Sequence, residues 1–230
     1  MLTEHEEPYT PSCRESISFG IVFIEMTENK RKYEMKKRAE RQRETRRRIV
    51  EATVELHRTR GPANTTVSEI AKSAGVNRLT VYNHFPDMTD LLRACSRSWT
   101  ERHPAPDPTP WARIGDPQER LQTALSELYG FYTRTEPMRG NVLRDAETMP
   151  ELAALLAGSV VPYLTAVRDL LAEGWEIGDD RSKRLLATIK LAIDFHTWRS
   201  LERESGLSRE EAVESMLEAV RSVVSRPDAQ

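Results

Sequence analysis

The stretch Thr65-Thr-Val-Ser-Glu-Ile-Ala-Lys-Ser-Ala-Gly-Val-Asn-Arg-Leu-Thr-Val-Tyr-Asn-His-Phe-Pro-Asp-Met-Thr-Asp-Leu-Leu92 reads as two short helices separated by one glycine. Thr66 and Glu69 form an S/T-x-x-E capping box, which satisfies orphan N–H groups at the start of the first helix. Asn77 caps the second, because its short side chain accepts from N–H groups two or three residues on. Ala71 lets the two backbones approach closely, and Gly75 supplies a left-handed turn that a residue with a Cβ resists. Ile70, Ala74, Val76 and Val81 are the apolar residues that hold the pair at a fixed angle. This is helix-turn-helix spacing, in which the second helix is free to enter a DNA major groove. A helical hairpin buried in a core would share the Ala and Gly offsets. It would have no reason to present Arg78, Thr80, Tyr82, Asn83 and His84, so spacing and surface chemistry together predict DNA binding.

The chain around this pair has 230 residues, enough for one large domain or two smaller ones. Cys13 and Cys95 have neither metal-site nor disulfide-framework spacing, so a reducing cytoplasm is the default location and no cofactor is expected. No apolar run is read as approaching the roughly eighteen residues of a membrane span, so no membrane partner is expected. The charge is unevenly distributed. Lys30 to Arg48 holds eleven Lys or Arg against Glu34, Glu40 and Glu44, a local excess of eight in a chain of net charge −2, so the remainder carries −10. A basic, DNA-facing end joined to an acidic body fits that asymmetry.

Residues 1–34 read as a disordered or misannotated N-terminal extension. Met1 to Arg14 is acidic and contains Pro8 and Pro11, the run from Ile17 to Ile24 suits a short strand, and translation is expected to begin at Met26 or Met35. From Met35 to Arg60 the pattern is helical, with Ile49, Ala52, Thr53, Leu56 and His57 on one face and arginines opposite; Gly61-Pro62 ends it. A helix over Met88 to Trp99 turns Leu91, Leu92 and Cys95 inward, and Asp87 and Asp90 suit its positive start. Residues 35–100 therefore form a helix-turn-helix DNA-binding domain. Residues 101–118, with prolines at 104, 106, 108, 110 and 117, form a connector. Residues 119–230 form a helical body, with helices over Leu121 to Tyr132, Val142 to Glu147, Leu152 to Leu171 and Arg184 to Glu204, and a last one opened by a Ser208-x-x-Glu211 box.

The order basic helix, Thr66-Val-Ser-Glu-Ile-Ala, Ala74-Gly-Val, Thr80-Val-Tyr-Asn-His-Phe and Leu91-Leu resembles the DNA-binding domain of the tetracycline-repressor (TetR) family over about residues 40–100. The resemblance implies an all-α fold: an N-terminal three-helix helix-turn-helix domain followed by a larger helical ligand-binding and dimerisation domain. Two departures stand out. Met88 occupies the place where the family usually carries a phosphate-holding Lys, and Leu79 stands where a small residue is common, suggesting apolar contact with a thymine methyl.

Position assigns Arg78, Leu79, Thr80 and Asn83 to base edges. Tyr82 and His84 fall at the family's Tyr-x-His-Phe positions, which implies phosphate contacts, with His84 also a candidate for the core. Thr66 sits at a helix N-terminus that favours a phosphate. Arg46 and Arg47 are electrostatic anchors, and Lys36 to Arg43 suits an arm reaching the adjacent groove. One recognition helix reads too few base pairs to define a genomic site, so a homodimer on a palindromic double-stranded operator is expected. The family's paired last helices correspond here to residues 185–203 and 211–224, with Leu201, Val213, Met216, Leu217, Val220 and Val224 at the interface; intramolecular packing competes for the same residues. Tyr129, Tyr132, Arg144, Tyr163, Trp175, His196 and Trp198 are candidates to line a small-molecule effector cavity. The resemblance implies a repressor whose reading heads tilt when that effector binds. An architectural DNA binder with the same head and no effector is the alternative. No nucleotide loop, zinc spacing or His-Asp-Ser arrangement occurs in the body, so an enzyme is not expected.

Overall fold

The computed structural model describes residues 13–225, and side chains throughout that range except at 13–30, 179 and 180. The described residues are helical and contain no strand. In chain order they form α1 (Cys13–Arg60), α2 (Val67–Ala74), α3 (Arg78–His84), α4 (Met88–Arg102), α5 (Pro117–Ala146), α6 (Pro150–Leu171), α7 (Asp179–Ala192), α8 (Phe195–Arg199) and α9 (Arg209–Val224). A 3-10 turn occupies Trp111–Arg113 and a π-turn Ser200–Glu204. The chain divides into two compact units, residues 1–48 and residues 49–230.

In the first unit the expected strand at 17–24 is part of α1 instead. No Gly or Pro occurs between Gly20 and Gly61, so once a helix nucleates here nothing in the sequence stops it. The part of the extension expected to be disordered that falls at residues 1–12 lies outside the described residues. Along the basic stretch the side chains are largely exposed, and Arg47 makes a bidentate pair with Glu44, at 2.6 and 2.9 Å.

The second unit has two cores. The smaller one joins Ile49, Val50, Ala52 and Val54 of α1 to Ile70, Ala71, Ala74, Val81, Phe85, Leu91 and Cys95, and takes in Met138 of α5. Thr53 is fully buried there because its hydroxyl donates to Ile49 O, 2.7 Å. The larger core, in the body, packs α5, α7, α8 and α9 around Leu125, Leu128, Tyr129, Ile189, Trp198 and Leu217. The connector is packed down onto this body. Trp111 is wholly buried, its indole N–H donating to Glu127 Oε2 at 3.1 Å, and the Tyr163 hydroxyl donates to Pro106 O at 2.8 Å.

Three expectations need correction. The stripe at 121–132 and the short helix at 142–147 are one helix, α5, which runs through Pro137; buried contacts at Thr135, Met138 and Asp145 hold the segment beyond the proline in line. The single helix expected over 184–204 is broken between α7 and α8. The His196 N–H donates to Asp194 Oδ1 at 2.7 Å, and the freed carbonyls of Ala192 and Ile193 accept the Tyr129 and Tyr132 hydroxyls at 2.9 and 2.6 Å. Finally, α6 is long and apolar enough by length and composition to cross a membrane, with a mean hydropathy of 1.4, contrary to the expectation that no run reaches that size. Ala, Gly, Ser and Thr dilute the run between Glu151 and Arg168 without interrupting it with charge. The same helix turns Leu152, Val167 and Leu171 into the protein and leaves Val161 exposed.

Candidate nucleic-acid interface

Both short helices of the reading head are fixed by local hydrogen bonds. The Glu69 N–H donates to Thr66 Oγ1 at 3.3 Å, and the Thr66 N–H donates back to Glu69 Oε2 at 3.0 Å. Arg60 closes on the other carboxylate oxygen at 2.6 Å. These bonds, those from Thr66 foremost, hold the Glu69 carboxyl below its usual range. Gly75 has φ 64° and ψ 40°, the left-handed cap required to turn the chain, and Val76 N–H donates to Ala71 O at 2.9 Å. Asn77 Oδ1 then accepts both the N–H and the hydroxyl of Thr80, at 2.7 and 2.8 Å.

With Val81 and Phe85 fully buried on its inner face, α3 points the rest outward. Arg78 and Asn83 are exposed, Tyr82 is 41% exposed, and Leu79 at 67% is an apolar side chain held in open solvent. Thr80 and His84 are half-buried, and Thr80 has its hydroxyl proton committed to Asn77. Thr66 is exposed, but its N–H and hydroxyl both donate to Glu69, so a phosphate there must displace a carboxylate. At the start of α4 the Asp87 carboxylate accepts the Thr89 N–H at 2.8 Å, and the next residue is the uncharged Met88. That helix start presents an anion and no cation, a poor seat for phosphate. Arg46 and Arg47, in the first unit, are exposed.

Asn141 and Asp145, which the sequence reading missed, and Arg144, which it placed at an effector cavity, tie the head to the body. Asn141 Nδ2 donates to the carbonyls of His57 and Arg58, at 3.1 and 2.9 Å, closing the last turn of α1. Arg144 donates to Arg60 O at 3.2 Å. Asp145, only 3% exposed, accepts the Ala63 N–H at 2.9 Å and pairs with Arg144 at 2.8 Å. Gly61, at φ 93°, is required here, since a Cβ would collide with the Asp145 carboxylate. Burial lowers the His57 imidazole from its ordinary 6.5 to about 4, although Asp145 pulls the other way. A buried Asp and an Asn one turn earlier were the available signal, but the partners lie over eighty residues away.

The effector candidates do not form one group. Tyr129, Tyr132 and Trp198 are buried together, and the ring centroids of Tyr132 and Trp198 lie 5.9 Å apart. Tyr163 is tied to the connector, and the Trp175 indole N–H turns back to Leu171 O at 2.9 Å. His196 is exposed, and Arg144 belongs to the head–body junction. A groove of about 420 Å³ between Thr89, Leu92 and Arg93 of α4 and Ala154, Leu155 and Gly158 of α6 includes none of them. The dimer assignment also changes. Val213, Leu217 and Val220 are 3%, 0% and 0% exposed within one protomer, so their surface is already spent in its own core. Leu201, Met216 and Val224 remain half-buried.

The capped helix pair with an outward polar face has the geometry of a helix-turn-helix. The family model described as "Bacterial regulatory proteins, tetR family" matches residues 49–95. An uncharacterized HTH-type transcriptional regulator of Mycobacterium tuberculosis is 29% identical over 126 residues, covering 50% of this chain and 62% of its own length. HTH-type transcriptional regulator TtgR of Pseudomonas putida is 41% identical over 64 residues, 28% of this chain and 30% of its own. The similarity to these relatives thus spans less than two thirds of their length. Among solved structures, a transcriptional regulator from Rhodococcus sp. Rha1 has a TM-score of 0.54 at 21% identity, covering 77% of this chain and 95% of its own. NalD, the secondary repressor of the MexAB-OprM multidrug efflux pump in Pseudomonas aeruginosa, has a TM-score of 0.52 at 21% identity, covering 80% and 98%. Residues 49–95 thus match the tetR family, and the chain as a whole shares the fold of these solved structures.

Proposed function

We propose that this chain is a homodimeric repressor that binds a palindromic operator and leaves it when a small-molecule effector occupies the body. The observation that carries the reading is α3, which presents Arg78, Leu79, Tyr82 and Asn83 outward from a helix pair fixed by its own caps. Arg78 suits a guanine edge, Asn83 an adenine edge and Leu79 a thymine methyl. Tyr82, His84 and Thr66 serve the phosphates, with Arg46 and Arg47 adding the salt-dependent attraction common to DNA binders.

The twofold face is assigned to α7 and α9. The exposed side chains of α7 include Lys183, Arg184, Lys190 and the 58%-exposed Leu191, and those of α9 include Glu210, Glu214 and Glu218. An isologous contact sets the basic face of one copy against the acidic face of the other. Genomic footprinting tests the reading, with protection expected at one or two palindromes; many dispersed sites would favour the architectural alternative. Sedimentation tests the interface. A dimer that survives Lys190→Glu but is lost in Val161→Glu would move the contact to α6.

A further inference from the structure

Arg139 lies on α5 two turns beyond Tyr132, on the same helical face, inside an aromatic cluster. Its guanidinium sits 5.1 Å from the ring centroids of both Phe131 and Tyr132. Its Nε is fully enclosed with no hydrogen-bond partner, and among the described residues no carboxylate pairs with it. Burial weighs against the guanidinium charge; Asp194 is near enough to favour it, but its Oδ1 accepts the His196 N–H. The nearby phenols of Tyr132 and Tyr163 donate to Ile193 O and Pro106 O and supply no negative charge. Within the same cluster Trp198 is wholly buried, and its indole N–H also lacks an acceptor. Its ring lies 5.9 Å from Tyr132 and 5.3 Å from Phe195.

Buried N–H groups without acceptors are rare in folded proteins. Two of them bordering one aromatic cluster, one on a permanent cation, point to a missing acceptor that is anionic and attached to an apolar body. Arg139 as a whole is only half-buried, which leaves a way in. We propose that Arg139 and Trp198 bind the carboxylate of a small aromatic or aliphatic acid, whose apolar part inserts beside Phe131, Tyr132 and Phe195. This rests on the ligand-responsive reading above and gives its effector a chemical class.

The position of the site supplies the coupling. Arg139 precedes Asn141, Arg144 and Asp145 on the same helix, and those three hold the end of α1 and the turn after it. Pro137 has no N–H to donate to Thr133 O, so the last turns of α5 are joined to the rest of the helix by one bond fewer. A carboxylate that draws on Arg139 shifts this segment and its grip on the head.

Calorimetric titration of the full chain without DNA, using sodium benzoate and sodium octanoate with benzamide as the neutral control, tests the proposal. At least one acid should bind once per chain, with benzamide weaker by about tenfold or more. Arg139→Gln should weaken the acid by about tenfold and Trp198→Phe by about fivefold. Arg139→Lys, which keeps the charge without the guanidinium fork, should melt like the wild type and retain weakened binding, guarding against misfolding of the Gln variant. Binding of neither acid, equal binding of benzamide, or binding undiminished by either Arg139 substitution overturns the proposal. Wild-type protein that binds the acid but shifts no operator duplex would break the repressor reading and leave the site standing. Protein that shifts the duplex and binds neither acid overturns the site alone.

Discussion

Helix starts in the head are closed by local caps; the body uses such caps too, at Asp116, Asp194 and Ser208, but adds long-range bonds at one break. In the head each helix start is closed from within three residues: Thr66 with Glu69, Asn77 with Thr80, Asp87 with Thr89. In the body the break between α7 and α8 is closed by Tyr129 and Tyr132, which reach from α5 across 63 and 61 residues of sequence. The head's shape is therefore set by its own short segments, whereas the body's depends on distant elements remaining in register. A unit of the first kind presents a fixed face to DNA. A unit of the second kind can be rearranged by whatever competes for its long-range contacts.

The contrast is broken most severely at Trp111. Trp111→Ala empties a fully buried site and removes the donor to Glu127, so stability should fall by about 3–5 kcal/mol in urea unfolding. A loss under about 1 kcal/mol would mean that the connector is no part of the body's core. Next in size is His57, at the junction of the two regions. Its folded value of about 4 lies below its ordinary 6.5, so its contribution is complete above pH 6.5 and is lost as the pH falls towards 4. The full effect is about 3 kcal/mol. Thermal melts across that window should show the decline, and His57→Gln should flatten it. The caps Glu69 and Asp87, whose values are lowered by bonds from Thr66 and Thr89, act at lower pH. An unchanged slope in the variant would rule out His57 as the source.

Arg78→Ala should leave the melting temperature unchanged and cost about 1–3 kcal/mol of operator binding, concentrated at one base position. Equal loss on every operator variant would make Arg78 a phosphate contact. The smallest effect belongs to Thr66→Ala, which opens one capping box and should cost about 1 kcal/mol of stability, read by chemical unfolding. If that substitution cost as much as the loss of Trp111, the head would not be the locally determined unit described above.

The head was legible because its determinants are close in sequence: a cap and its partner lie three residues apart, and Gly75 announces its own turn. The body was legible as helices but less so in its joints. Asp194 is a local sign of the break after Ala192 and Ile193, a capping residue set into an apolar stripe, but the tyrosines that satisfy the freed carbonyls lie on another helix. Val213, Leu217 and Val220 form a stripe that one chain's core and a partner's surface would explain equally well, and only the packed structure shows the core taking it. Arg139 stands on the face of Tyr132 at a two-turn spacing, a signal present in the sequence. An arginine on such a stripe usually reaches past it to water, so the spacing alone did not mark it out.

The bond from the Ala63 N–H to Asp145 also gives the junction a clock. That amide is sequestered by a carboxylate only 3% exposed, on a helix of the body, so it exchanges with solvent deuterium only when the turn after α1 leaves α5. Its exchange rate, set against those of amides inside α2, counts how often the head parts from the body without either one unfolding.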